Sequence, residues 1–90
     1  MPYINQVCRR SIEKQETTPN VPGTLNYAIT KIIHNYIKDN GLCYNNLNEV
    51  IGVLECAKQE FYRAVAAPYE DIKRKENGSV SELDKEKSDE

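Results

Sequence analysis

The sequence predicts an all-α fold: an antiparallel helical hairpin with a short N-terminal arm and a short helix after a proline, assembling as a homo-oligomer. Three observations lead there. Apolar residues recur at spacings of three and four in two long segments, which is the rhythm of a helix with one buried face. Proline, glycine and asparagine punctuate the chain between those segments. The second long segment carries apolar or small residues on two of its sides, more than one partner helix of a 90-residue chain can cover.

The elements follow in order. Residues 1–21 form an arm whose scattered apolar residues, Tyr3, Ile4, Val7, Cys8 and Ile12, suit a turn or two of helix or an irregular segment, ended by the loop TTPNVPG. Leu25, Ala28, Ile29, Ile32, Ile33 and Tyr36 then mark one face of a helix over about 22–39. Pro22 suits its first turn, and Asn40-Gly41 supplies the left-handed stop. Asn46 followed by Glu49 reads as a capping box that opens a second helix over about 46–67, with Leu47, Val50, Ile51, Leu54, Ala57, Phe61 and Val65 on one side. Pro68 either kinks this helix or starts a third over 68–76, closed by Asn77-Gly78. Residues 1–78 thus make one helical domain.

Charge divides the chain unevenly. Residues 79–90 hold five acids and two lysines, and the remaining 78 hold nine acids and ten bases. The tail is too poor in apolar residues to offset the entropy of ordering and is expected to be disordered. The near-neutral body lacks the continuous positive footprint that polymeric DNA or RNA requires. No long apolar run marks a membrane span or a secretory signal, so the expected location is the cytoplasm. Cys8, Cys43 and Cys56 include no Cys-x-x-Cys pair, which fits free structural thiols in a reducing compartment rather than a disulfide framework or a zinc site. His34 has no nucleophile or acid at a suitable spacing, and no glycine-rich phosphate loop occurs, so no catalytic or metal-ligating residue, and no cofactor, is expected.

Two groups of residues have binding chemistry. Tyr27, Lys31, His34 and Lys38 form one stripe on the outer side of the first helix, where a ring beside two ammonium groups and an imidazole suits a stacked base and its phosphates. The plainer account is the solvated side of an amphipathic helix. Tyr62, Arg63, Tyr69, Lys73 and Arg74 gather later among Glu60, Glu70 and Asp71; aromatics and arginines anchor interfaces, while such charges also form ordinary pairs along an exposed helix. Lys58 lies at the edge of the large apolar stripe, either snorkelling or held beside an anion pocket. On the opposite side Gly52, Val53, Cys56, Ala64 and Ala67 offer a small-residue face for a second copy, as a dimer or tetramer.

The segments Pro22-Gly23-x-Leu25-Asn26-Tyr27-x-Ile29, Leu47-Asn48-Glu49-Val50-Ile51-Gly52-Val53-Leu54-Glu55-Cys56, Glu60-Phe61-Tyr62-Arg63, Pro68-Tyr69-Glu70-Asp71 and Glu76-Asn77-Gly78 resemble a family of short helical proteins of phages and prokaryotes. In size, helix content and expected assembly the chain is also similar to phage sponges that sequester the cyclic nucleotide signals of bacterial immunity. That likeness implies a non-catalytic protein of the host cytoplasm that binds a cyclic dinucleotide without cleaving it and so blocks a CBASS-like defence. Its binding set would be Asn26, Tyr27, Lys31, His34, Lys58, Tyr62, Arg63, Tyr69 and Lys73. The rival expectation is a protein-binding adaptor whose Tyr- and Arg-rich C-terminal segment docks on a host or phage enzyme and modulates it.

Overall fold

The structure, a computed structural model, describes residues 3–85. All regular structure among them is helical: α1 (Gln6–Glu13), α2 (Pro22–Asn40), α3 (Tyr44–Phe61), a π turn (Tyr62–Ala66), α4 (Ala67–Asn77) and a 3-10 turn (Glu82–Asp84). The chain divides into two compact units, Met1–Val50 and Ile51–Glu90, with the boundary inside α3.

In the first unit the N-terminal arm contains a defined helix. Asn5 caps α1, its Oδ1 accepting the Cys8 N–H at 2.8 Å, a contact typically worth ~1 kcal/mol. The helix ends with Gln15 in the left-handed region (φ 60°), while Gln15 N–H reaches Ile12 O at 3.0 Å and Glu16 N–H reaches Ser11 O at 2.8 Å. Those two bonds satisfy carbonyls otherwise left unpaired, offsetting the roughly 1–2 kcal/mol that a side chain costs in that conformation.

Helix α2 starts at Pro22, as the sequence indicates, with Val21 as its extended cap residue. Thr24 folds back over this start, its Oγ1 accepting the Val21 N–H at 3.3 Å and donating to Val21 O at 3.0 Å. Helix α2 ends at Gly41 (φ 115°), whose N–H bonds Ile37 O at 2.7 Å. Packing in this unit joins α1 to α2.

The start of α3 differs from expectation. The helix opens at Tyr44, so Asn46 lies inside it rather than capping it. The Asn46 amide instead donates from Nδ2 to Asn40 O at 3.1 Å and to Gly41 O at 2.9 Å. An amide is a donor as well as an acceptor, and here the unpaired carbonyls at the end of α2 take it.

In the second unit Pro68 neither splits nor stops the helix. The residues flanking the π turn keep right-handed helical angles, and the Ala67 N–H reaches back five residues to Tyr62 O. Proline lacks an N–H and its ring crowds the preceding turn; a turn widened just before it relieves both problems. Helix α4 ends at Gly78 (φ 92°), whose N–H bonds Arg74 O at 2.7 Å.

The acidic tail, expected to be disordered from residue 79, begins with an ordered turn. The Asp84 carboxylate accepts the Val80 and Ser81 N–H groups at 3.0 and 2.9 Å, and Arg74 Nη1 donates to Asp84 O at 3.0 Å. The backbone N–H bonds of Ser81 and Val80 hold the Asp84 carboxyl below its ordinary range. The rest of the acidic tail, residues 86–90, lies outside the described residues.

Candidate functional site

Tyr27 is the only buried residue among those described, at 8% exposure. Its ring lies between α2 and α1, with the Arg9 guanidinium 5.3 Å from its centroid. The hydroxyl donates to Glu13 Oε2 at 2.6 Å, and Lys31 Nζ stands 3.7 Å from Glu13 Oε1. Arg9 is itself oriented by donating from Nε to Ile4 O at 2.8 Å. Tyr27 and Lys31, two of the expected ligand residues, therefore converge on a carboxylate of α1. Asn26 accepts a hydrogen bond from Thr30 Oγ1 at 3.0 Å, and His34 is exposed.

This clasp has a pH signature. The Tyr27 hydrogen bond, followed by the positive charges of Lys31 and Arg9, holds the Glu13 carboxyl below its ordinary value, and the same hydrogen bond raises the Tyr27 hydroxyl. A depressed carboxyl contributes stability above its unfolded value and loses it as pH falls through the folded one. A raised hydroxyl contributes below its unfolded value and loses it as pH rises through the folded one. The α1–α2 contact is therefore expected to be constant around neutrality and to loosen at both extremes. Ring chemical shifts of Tyr27 followed against pH would show it; a Tyr27→Phe protein should lose the alkaline limb and keep only the part of the acid limb that Lys31 and Arg9 sustain, and an alkaline limb that survives there would assign the effect elsewhere.

In the second unit each expected cation meets an acid on its own helix. Lys58 Nζ lies 3.4 Å from Glu55, Arg63 grips Glu60 with Nη2 at 2.7 Å and Nε at 3.3 Å, and Lys73 Nζ lies 3.2 Å from Glu76. The Glu55 carboxyl is held low, first by the Gln59 amide and then by Lys58. Lys73 also stands 5.6 Å from the centroid of the Tyr69 ring. Arg74 pairs with Asp71 at 3.6 Å. Exposed pairs of this kind contribute little to stability, but a phosphate would have to displace them.

A cleft of about 500 Å³ lies between the π turn, α4 and the returning chain, lined by Tyr62, Lys73 and Arg74 together with Glu70, Asp71 and Asp84. Its size falls within the range of small-molecule sites, and its charged lining is three acids against two bases. The structure thus brings Tyr62 and Lys73 to one cleft, with Tyr69 beside Lys73. Sequence reasoning missed Arg9, Glu13 and Asp84; the first two stand four residues apart in the arm, a spacing that would have marked one helical face.

The small-residue face is open. A Cβ built on Gly52 would meet nothing within 4 Å, Val53 is 66% exposed, and Cys56 is an exposed free thiol. Ala64 is exposed and Ala67 half-buried. Cys8, half-buried, and Cys43, exposed, are free as well. Among the described residues no group of three or more His, Cys, Asp or Glu side chains is placed to hold a metal ion, and no helix is long and apolar enough to cross a membrane.

More telling are the large apolar stripes. On α2, Leu25, Ile29, Ile32 and Tyr36 are 44–69% exposed, and on α3, Leu47, Ile51, Leu54 and Phe61 are 40–65% exposed. Among known proteins, residues 1–80 match a domain of unknown function, DUF6899. No curated protein and no solved structure matches the chain.

Proposed function

We propose, for a chain that belongs to the DUF6899 family, a domain of unknown function, that it is a non-enzymatic helical binding module working through the apolar stripes of α2 and α3. One observation carries this reading: eight large side chains line the exposed sides of two long helices, while a single residue is buried among those described. Helices in water draw most of their stability from packing an apolar face. Contiguous exposed apolar surface on a small protein marks a place where another protein surface docks. In this reading the stripes meet the apolar surface of a partner, whereas the antiparallel hairpin expected from the sequence would cover them within one chain. The small-residue face of Gly52, Val53, Cys56, Ala64 and Ala67 then remains available for further self-association.

Sequestration of a cyclic dinucleotide, the anti-defence role implied by the likeness to phage sponges, is the second reading. The cleft beside Tyr62, Lys73 and Arg74 favours it by its volume and its ring. The acids of the same walls, and the ion pairs that already engage Lys31, Lys58, Arg63 and Lys73, weigh against it. Calorimetric titration with cyclic di- and trinucleotides, alongside light scattering of the free protein, separates the two. Association without heat from any nucleotide is expected; tight binding with the nucleotide recovered intact would replace the first reading by the second, and a monomer that binds nothing would overturn both.

A further inference from the structure

At the end of α4 Gly78, with φ 92°, turns the chain back, and Gly78, Val80 and Asp84 line the cleft together with Tyr62, Lys73 and Arg74. This returning wall is a turn folded on itself. The Asp84 carboxylate accepts the Val80 N–H at 3.0 Å with one oxygen and the Ser81 N–H at 2.9 Å with the other. Ser81 Oγ accepts the Leu83 N–H at 3.1 Å, and Ser79 Oγ donates to Asp84 O at 3.4 Å.

The ties between this turn and α4 are polar. Arg74 O takes the Gly78 N–H at 2.7 Å and Arg74 Nη1 donates to Asp84 O at 3.0 Å, so one residue of α4 grips both ends of the return. The two apolar side chains of the turn add no packing, since Val80 is 94% and Leu83 99% exposed. A segment anchored by burial leaves only when apolar surface is uncovered, whereas one held by hydrogen bonds exchanges its partner for another partner or for water at a small net difference. The group it holds is a guanidinium, whose forked donors suit a carboxylate or a phosphate.

We propose that residues 79–84 are a detachable strap, an autoinhibitory wall that keeps Arg74 occupied and the cleft closed to anions until it swings away from α4. The strap lies within the second unit and is independent of the apolar stripes. Its release changes the chemistry of the cleft as well as its shape. The Asp84 carboxylate, one of three acids in the lining, leaves with the strap, so that Glu70 and Asp71 stand against Lys73 and Arg74. Arg74 Nη1, having given up Asp84 O, then turns to an anionic group from outside, while Asp71, 3.6 Å from Nη2, still orients the guanidinium.

The test breaks the strap without altering a charge. Ser81 has φ −155°, whereas proline holds φ near about −65° and has no N–H. Ser81→Pro thus removes the Ser81 bond to Asp84 and the hydroxyl that Leu83 uses. The full chain is treated with phenylglyoxal, which modifies guanidinium groups, and the rate at each arginine is read by peptide mass. Arg74 is expected to react roughly tenfold faster in Ser81→Pro than in the unsubstituted chain, the scale of one lost hydrogen bond to a charged group. Arg63, paired with Glu60 at 2.7 Å, should keep its rate. Inorganic phosphate should slow the reaction at Arg74 in Ser81→Pro and leave it unchanged in the unsubstituted chain. Asp84→Ala, which takes the carboxylate out of the turn, should behave alike, and it decides the matter if Ser81→Pro loses helical circular dichroism. An Arg74 rate unchanged in both variants would overturn the strap. Phosphate protection that is absent from the variants, or equal with and without the strap, would overturn its role as a gate against anions.

Discussion

Ile51→Asp is expected to abolish assembly and to take much of the helical circular dichroism signal with it. In an isolated chain this substitution would be nearly silent, because Ile51 is 65% exposed and exposed replacements usually stay within about 0.5 kcal/mol. Against an apolar partner surface the same carboxylate would be enclosed by apolar groups, where an unpaired charge costs several kcal/mol. Sedimentation and circular dichroism over a range of concentrations read both effects. The comparison is Gly52→Leu on the small-residue side, which has free space around it in the single chain; assembly lost there would place an interface on that face. Equal assembly of Ile51→Asp and the unsubstituted chain would show that the stripe is not an interface.

Tyr27→Ala is expected to release α1 from α2. The ring is the one side chain buried in the described part of the protein, and truncating a buried aromatic typically costs about 3 kcal/mol or more. Its loss also removes the surface on which the Arg9 guanidinium rests and the hydroxyl that Glu13 accepts. Cys8, half-buried on α1, reports the event, since its thiol should react faster with an alkylating reagent once α1 is free. Cys43 and Cys56, already exposed, should react at unchanged rates. Tyr27→Phe keeps the ring and should sit between the two proteins. An unaltered Cys8 rate in Tyr27→Ala would mean that the ring does not hold α1.

Much of the fold was legible because it is written in local signals. Pro22 and Gly41 bound α2, and Gly78 ends α4, each through a backbone constraint that needs no distant partner. The start of α3 was not legible in the same way. An asparagine two residues inside the helix gives the same sequence pattern as one at its cap, and only the nearness of the α2 carbonyls decides which role it takes. Pro68 announced an irregularity but not its form, because a widened turn and a break both accommodate a missing N–H.

The candidate site was less legible still. Tyr27 and Lys31 were read as solvent-facing because they lie opposite the apolar stripe of α2, and that placement was sound as helix geometry. What the spacing could not carry is that an arm with only a scatter of apolar residues forms a helix bearing Glu13 and Arg9 against them. The cations of the second unit were visible as candidates, and their pairing with acids three residues away follows from the same helical rhythm. The competition between those acids and a phosphate is a matter of energies that composition alone does not rank.

The π turn at residues 62–66 also fixes a length. A turn closed over five residues holds about one residue more than an α turn, which rotates everything after it by roughly 100° around the axis. Ile72 stands eleven residues beyond Phe61, about three α-helical turns on, and on an uninterrupted helix it would prolong the apolar stripe. The rotation carries it off that line. Pro68, beside the wide turn, thus acts as a ruler: the apolar stripe of α3 ends at Phe61, and the face of α4 turns to a different side of the axis.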